Sequence, residues 1–242
     1  VTKKPFLGFS DTTLNHFMLH KVGLPTFYGQ AFLPDVCELA PEMLPYTKRY
    51  FEEFLKTGTI REVHPSELWY TSRTDFSPEA LGTELPAHKN SGFELLQGPA
   101  QFDGEILGGC IDSMYEMFSG WRYGDMPEVC RNYGLFPAKD DWRGKILLME
   151  SCEEYMLPET YKKALETLQE TGVFDAVSGV LVGKPMDDMY HAEYKKLLVS
   201  IIANKELPIL CNINVGHAQP RCILPFGVPA HVDADAQVIR FD

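Results

Sequence analysis

Two patterns of apolar positions alternate along this chain: short continuous runs that suit buried strands, and longer stretches with apolar residues at helical spacing. "PFLGF" at residues 5–9 reads as a buried strand. Ser10 and Asp11 follow it where a helix cap belongs, ahead of the helix-patterned "TTLNHFMLHKVG" that stops at Gly23. "PTFYG" then reads as a second strand, and this strand, helix, strand order predicts a parallel α/β layer. "PEMLPYTKRYFEEFLKTG" predicts a helix with a Gly stop, whereas residues 58–103 are rich in Pro, Ser, Thr, Gly and His and predict a loop-bearing region with short strands such as "FELLQG". Beyond it, "GEILGG", "KILLMES", "VSGVLVG" and "LPILCNIN" predict strands. They alternate with helices over "CIDSMYEMFSG", "PETYKKALETLQETG" and "YHAEYKKLLVSIIANK". The expected fold class is α/β: the tail of an N-terminal parallel α/β domain over residues 1–40, a linker and loop-bearing region over 41–103, and a C-terminal, mostly parallel α/β domain over 104–242.

Composition narrows the function classes. The 242 residues carry 34 acidic against 22 basic side chains, a net charge of −12, and contain no basic run. A nucleic-acid polymer is therefore not the expected partner, although a nucleotide-like small molecule is compatible. Six cysteines without a CxxC pair predict reduced, mostly buried thiols and a cytoplasmic setting. No stretch approaches the ~20 apolar residues of a membrane span. The chain opens "VTKKPFLGF", entering a core-type strand behind a Val, which leads to the expectation that an upstream segment has been removed or is encoded elsewhere.

In open α/β sheets, functional groups collect at the carboxyl ends of strands. Two such ends carry titratable residues: "LLMESCEE" offers Glu150, Glu153 and Glu154, and "ILCNINVGH" offers His217. A neutral imidazole can take a proton from a hydroxyl while a carboxylate on its other nitrogen fixes the tautomer. Glu150 and His217 suit these roles, and they equally suit a solvated acid and a turn histidine. Ser10 in "GFSDTT" reads as a helix cap rather than a nucleophile, because glycines do not bracket it. Cys110 in "LGGCIDS" follows two glycines and opens a helix whose dipole would lower a thiol pKa, so a Cys110-dependent amidase is a further reading. Nothing predicts a metal or cofactor: His16 and His20 lie four apart on one helix face without an HExxH context, and the chain has neither a P-loop nor GxGxxG.

Six blocks in order, "KPFLGFSDTTLNHFML", "GLPTFYGQ", "FELLQGPAQFDGEILGGCIDSM", "ILLMESCEE", "LQETGVFDAVSGVLVGKP" and "LPILCNINVGHAQPRCILPFGVPAHVD", resemble the LD-carboxypeptidase family of serine peptidases, and within it the branch of microcin C self-immunity peptidases. The resemblance implies a carboxypeptidase-type hydrolase with a Ser-Glu-His triad, in which Glu150 and His217 match the Glu and His blocks. Its serine is expected in a Gly-rich turn upstream of the "GFSD" block. The chain is then the C-terminal portion of such an enzyme, inactive alone and completed by an N-terminal region in cis or as a separate fragment. The alternative is a non-catalytic ligand-binding or dimerisation remnant. The resemblance further implies a homodimer, a small peptide or aminoacyl-nucleotide-like substrate, and an aromatic loop residue stacked on the nucleobase, for which Trp69 in "SELWYTSR" is the match.

Overall fold

Four apolar runs form the centre of the structure, a computed structural model that describes residues 4–152 and 156–242. Strands Gln101–Cys110, Lys145–Glu150, Gly179–Gly183 and Ile209–Ile213 lie side by side and parallel. Within Lys145–Glu150, Ile146, Leu147, Leu148 and Met149 are all fully buried, as a strand covered on both faces requires. Each such side chain stabilises the fold by about 1.5–3 kcal/mol relative to exposure. The flanks differ from the predicted mostly parallel layer. Pro229–Asp233, Val238–Phe241 and Glu62–Val63 extend one side antiparallel, and Glu94–Gln97 closes the other side antiparallel, giving eight strands in all. Among the described residues of this sheet, only Pro229–Asp233 and Val238–Phe241 form a hairpin; the other antiparallel pairings join strands far apart in sequence, whereas the parallel central strands are connected through helices.

Helices Ile111–Ser119, Pro158–Glu170 and His191–Ile201 follow three of the central strands and pack on one another in succession. Pro158–Glu170 shows why: Pro158 starts it, and Tyr161, Ala164, Leu165 and Leu168 bury one helical stripe. The region 58–103 supplies both edge strands of the large sheet and a separate hairpin, Leu68–Tyr70 against Ala87–Lys89.

The first forty residues form a second, three-stranded sheet. Leu7–Gly8 pairs parallel with Thr26–Tyr28 around helix Thr13–Lys21, and Leu224–Phe226 joins antiparallel from the far end of the chain. This small sheet sits at the carboxyl end of strand Gln101–Cys110. Gly109 makes the contact possible, since a Cβ there would lie 2.4 Å from Thr13 Oγ1 and 2.7 Å from Tyr28 Cε2. The Thr13 hydroxyl accepts the Cys110 amide at 2.9 Å across the same junction.

Candidate active site

Strand Lys145–Glu150 ends by delivering Glu150 into the junction between the two sheets, with 1 % of its surface exposed. A carboxylate this deep needs hydrogen-bond donors on both oxygens. Tyr28 donates its hydroxyl to Oε1 at 2.5 Å, and His217 places Nδ1 2.7 Å and its backbone N–H 3.2 Å from Oε2. His217 follows strand Ile209–Ile213 through a turn at Gly216, whose φ is +83°. A Cβ on Gly216 would meet the Glu150 carboxylate at 2.3 Å, so glycine is what lets the two strand ends close on each other.

The structure thus brings Glu150 and His217 together, and it adds a third group. Ser10 Oγ lies 3.0 Å from His217 Nε2. This corrects the reading of Ser10 as a helix cap and the expectation that His217 finds no serine within this chain. The side chain caps nothing at the helical turn Ser10–Thr12, because Ser10 takes φ +62° and turns its hydroxyl toward the imidazole. A left-handed serine between a strand and a helix has the backbone geometry by which an elbow presents a side chain. Gly8, two residues before it, leaves room for Thr12, since a Cβ there would fall 2.6 Å from Thr12 Oγ1. That single glycine was the available signal; a search for glycine on both sides misses it.

Cys110 stands nearby: its sulfur, a Glu150 oxygen and a His217 nitrogen lie within 4.8 Å of one another. The expectation of an acidified thiol is nevertheless reversed. Cys110 is buried, and burial first, then the neighbouring Cys152 thiol and the Glu150 charge, push its pKa well above the usual thiol range. Its weak S–H donation goes to Asp112 Oδ2 at 3.6 Å. Burial likewise raises Asp112, opposed by the Cys152 amide that it accepts at 3.1 Å. Both Glu150 oxygens are engaged by Tyr28 and His217, so this trio is organised for hydrogen bonding rather than around an ion. Glu153 and Glu154 lie outside the described residues.

A cavity of about 620 Å³ opens on Ser10 and His217. Phe9, Leu33, Leu39, Phe76 and Met186 give it apolar walls. Its two arginines are each neutralised at the wall: Arg73 Nε lies 2.5 Å from Glu38 Oε1, and Arg221 Nη1 lies 3.1 Å from Asp35 Oδ2. Arg221 also donates Nη2 to the His217 carbonyl at 2.9 Å and covers Phe9, whose ring meets the imidazole edge to face. Arg221 and Asp35 therefore brace the histidine from behind, a role that a lone Arg in "AQPRC" did not announce.

Trp69 is not among the described residues lining this cavity. Its ring stacks on His88 at 4.1 Å, with the Lys184 ammonium 4.8 Å from its centroid. The adjacent Tyr70 amide bonds the Gln219 carbonyl at 2.9 Å, which ties the hairpin to the cavity's edge. His16 is a core residue, bonded to Thr26 Oγ1 at 2.7 Å and the Gly8 carbonyl at 3.1 Å. Among the described residues, no helix is long and apolar enough to cross a membrane.

Several known proteins are similar to this chain in sequence and fold. The microcin C7 self-immunity protein MccF of Escherichia coli is 26% identical over 241 residues, covering 96% of this chain and 63% of that protein. The putative carboxypeptidase YocD of Bacillus subtilis is 26% identical, covering 96% of this chain and 64% of that protein. The chain thus spans a little under two thirds of the length of these curated relatives. Among solved structures, an MccF-like protein from Streptococcus pneumoniae in complex with AMP superposes with a TM-score of 0.98 at 58% identity, covering 100% of this chain and 70% of that one. MccF in its wild-type apo state shares the fold with a TM-score of 0.75 at 24% identity. The profile of the LD-carboxypeptidase C-terminal domain matches residues 103–232, more than half of the sequence, and this chain belongs to that family.

Proposed function

We propose that this chain carries the reacting groups of a serine hydrolase of the carboxypeptidase type, with Ser10 as nucleophile, His217 as general base and Glu150 as the acid that orients it. The observation that carries this reading is the pair of contacts on one imidazole, 3.0 Å to the Ser10 hydroxyl and 2.7 Å to the Glu150 carboxylate. With Nδ1–H donated to Glu150, Nε2 is left as the acceptor for the serine proton. Ser10 Oγ adds to the carbonyl carbon of the scissile bond as its proton passes to His217. The imidazolium returns that proton to the leaving group, and water repeats the sequence on the acyl-serine, releasing the acid and restoring Ser10. In this reading the backbone amide of Asp11, the residue after the serine in the helical turn Ser10–Thr12, is assigned to the oxyanion.

The substrate class is an amide or acyl link in a small peptide or an aminoacyl-nucleotide-like molecule. The AMP found with the Streptococcus pneumoniae relative supports the nucleotide part, as does the complex of MccF with aspartyl sulfamoyl adenosine. Trp69 is the nucleobase platform in this reading; a base stacking there takes the place of His88 or the Lys184 ammonium. The homodimer implied by the family resemblance belongs to the same proposal and is checked by light scattering.

The reading is tested by labelling the protein with a fluorophosphonate, which reacts preferentially with an activated serine. Mass spectrometry should find the adduct on Ser10, and Ser10→Ala should abolish it. An adduct on another residue, or none on Ser10, refutes the assignment.

A further inference from the structure

The contacts around Glu150 form a closed circuit that begins and ends on one residue. Starting from Ser10, its amide N–H donates to the Tyr28 hydroxyl at 3.2 Å, and Tyr28 donates to Glu150 Oε1 at 2.5 Å. Glu150 Oε2 holds His217 Nδ1 at 2.7 Å, and His217 Nε2 meets the Ser10 hydroxyl at 3.0 Å. A carboxylate only accepts hydrogen bonds, so the one Tyr28 proton must point to Glu150 and its lone pair must receive the Ser10 amide. We propose that Tyr28 is a positioning residue for this reaction, one hydroxyl that both pins the left-handed backbone of the serine and sets how strongly Glu150 draws on His217. The inference rests on the triad reading above.

Two features equip Tyr28 for this. Its ring is fully buried and stacked on Phe226, with centroids 5.4 Å apart and planes 12° apart, so the hydroxyl has one position. Burial and the Glu150 charge push its pKa well above that of an ordinary tyrosine, so it remains a donor throughout the working pH range. Ser10 sits at φ +62°, where a non-glycine backbone is strained and must be held by its surroundings. The bond from its own amide to Tyr28 is such a hold. The second effect is electronic. A hydrogen bond to one carboxylate oxygen withdraws charge from the other, so removing it strengthens the pull of Glu150 on the imidazole and favours the imidazolium before reaction.

Tyr28→Phe keeps the ring and its stacking and removes only the hydroxyl. The readout is the second-order rate of fluorophosphonate labelling of the chain as a function of pH. The expected result is a rate lowered about 10- to 100-fold, the effect of losing a hydrogen bond to a charged group, with the acid limb of the profile moved to higher pH. Among the described residues, Cys110, Asp112 and Arg221 beside Glu150 and His217, and Tyr161, His191 and Tyr194 on the far side of Glu150, are untouched by the substitution. Phe226→Leu supplies the structural control: it loosens the stacking beneath the ring but keeps the hydroxyl, so it should lower thermal stability while moving the acid limb less than Tyr28→Phe does. Tyr28→Phe labelled at the parental rate with an unmoved limb overturns the inference, as does a Phe226→Leu limb that moves equally. Ser10→Ala separates the two levels: persistent labelling there refutes the triad reading itself, whereas lost labelling leaves the Tyr28 result to stand or fall alone.

Discussion

Ser10 and Cys110 occupy comparable places in two different sheets: Cys110 ends its strand and Ser10 lies two residues past its own, each opens a helical segment, and each lies beside the same His217. Their backbones separate them. Ser10 takes φ +62° and aims its hydroxyl at the imidazole and the cavity. Cys110 keeps an extended backbone at φ −65° and ψ 121°, and its sulfur stays buried against Asp112. Proximity to His217 is therefore not what separates the two side chains. The handedness of one residue decides which of them faces the cavity and which is packed as core.

The comparison is broken most directly at the serine. Ser10→Ala should lower the hydrolysis or labelling rate by about 10⁶-fold, the loss seen when the nucleophile of a serine triad is removed. Residual activity above about 10⁻² of the parent would mean that Cys110 or another group can serve in its place. Glu150→Gln comes next. It keeps the shape but reverses the tautomer preference at Nδ1, and a drop of about 10⁴-fold in kcat is expected with the fold intact by circular dichroism. A change below tenfold would show that the Glu150 contact is structural.

How much of this was legible in the sequence follows from the range of the interactions involved. The four central strands announced themselves because doubly covered strands read as unbroken apolar runs, as in "KILLME". Glu150 and His217 could be named because both fall just past such runs. Ser10 escaped because its conformation is imposed by groups that are distant in sequence: His217 lies 207 positions away and Tyr28 is 18 away. Tyr28 itself read as an ordinary strand aromatic. Its pairing with Leu224 across nearly the whole chain, which seats it under Glu150, leaves no local pattern. The antiparallel pairing of the edges was missed for the same reason: "FELLQG" was legible as a short strand, but its partner Ile209–Ile213 lies far along the chain, and Glu62–Val63 is too short to carry a period of its own.

A smaller effect sharpens the account of how the serine junction is held. His16 packs behind it, donating Nε2–H to the carbonyl of Gly8 on the strand that leads into Ser10 and accepting the Thr26 hydroxyl at Nδ1. Burial lowers its pKa from 6.5 to about 4. Between those values the unfolded chain binds a proton that the folded chain does not, so this contribution to stability is complete above pH 6.5 and declines as pH falls toward 4. The decline amounts to roughly 3 kcal/mol, about 10²-fold in the folding equilibrium. Urea unfolding at pH 7 and pH 4.5 should show His16→Gln losing less stability across this interval than the parent. Parallel losses in the two proteins would place the acid sensitivity elsewhere.

The least effect is expected at the second junction, and it is the most exacting test of the contrast. Cys110→Ala removes the thiol that stands nearest the His217 and Glu150 pair, yet the labelling rate at Ser10 should stay within about tenfold of the parent, because that thiol is neutral and donates away from the imidazole. Consistent with a pKa raised by burial, Cys110 should resist iodoacetamide at pH 8 in the native state and react on unfolding, whereas the exposed Cys37 should be alkylated at once. Cys110→Ser sharpens the result, since it places a hydroxyl at the position the thiol held. If a Ser10→Ala, Cys110→Ser double variant acquired labelling at residue 110, the imidazole would be serving whichever hydroxyl is near it. If it stays unlabelled, the left-handed turn at Ser10 is what makes a side chain at this site reactive.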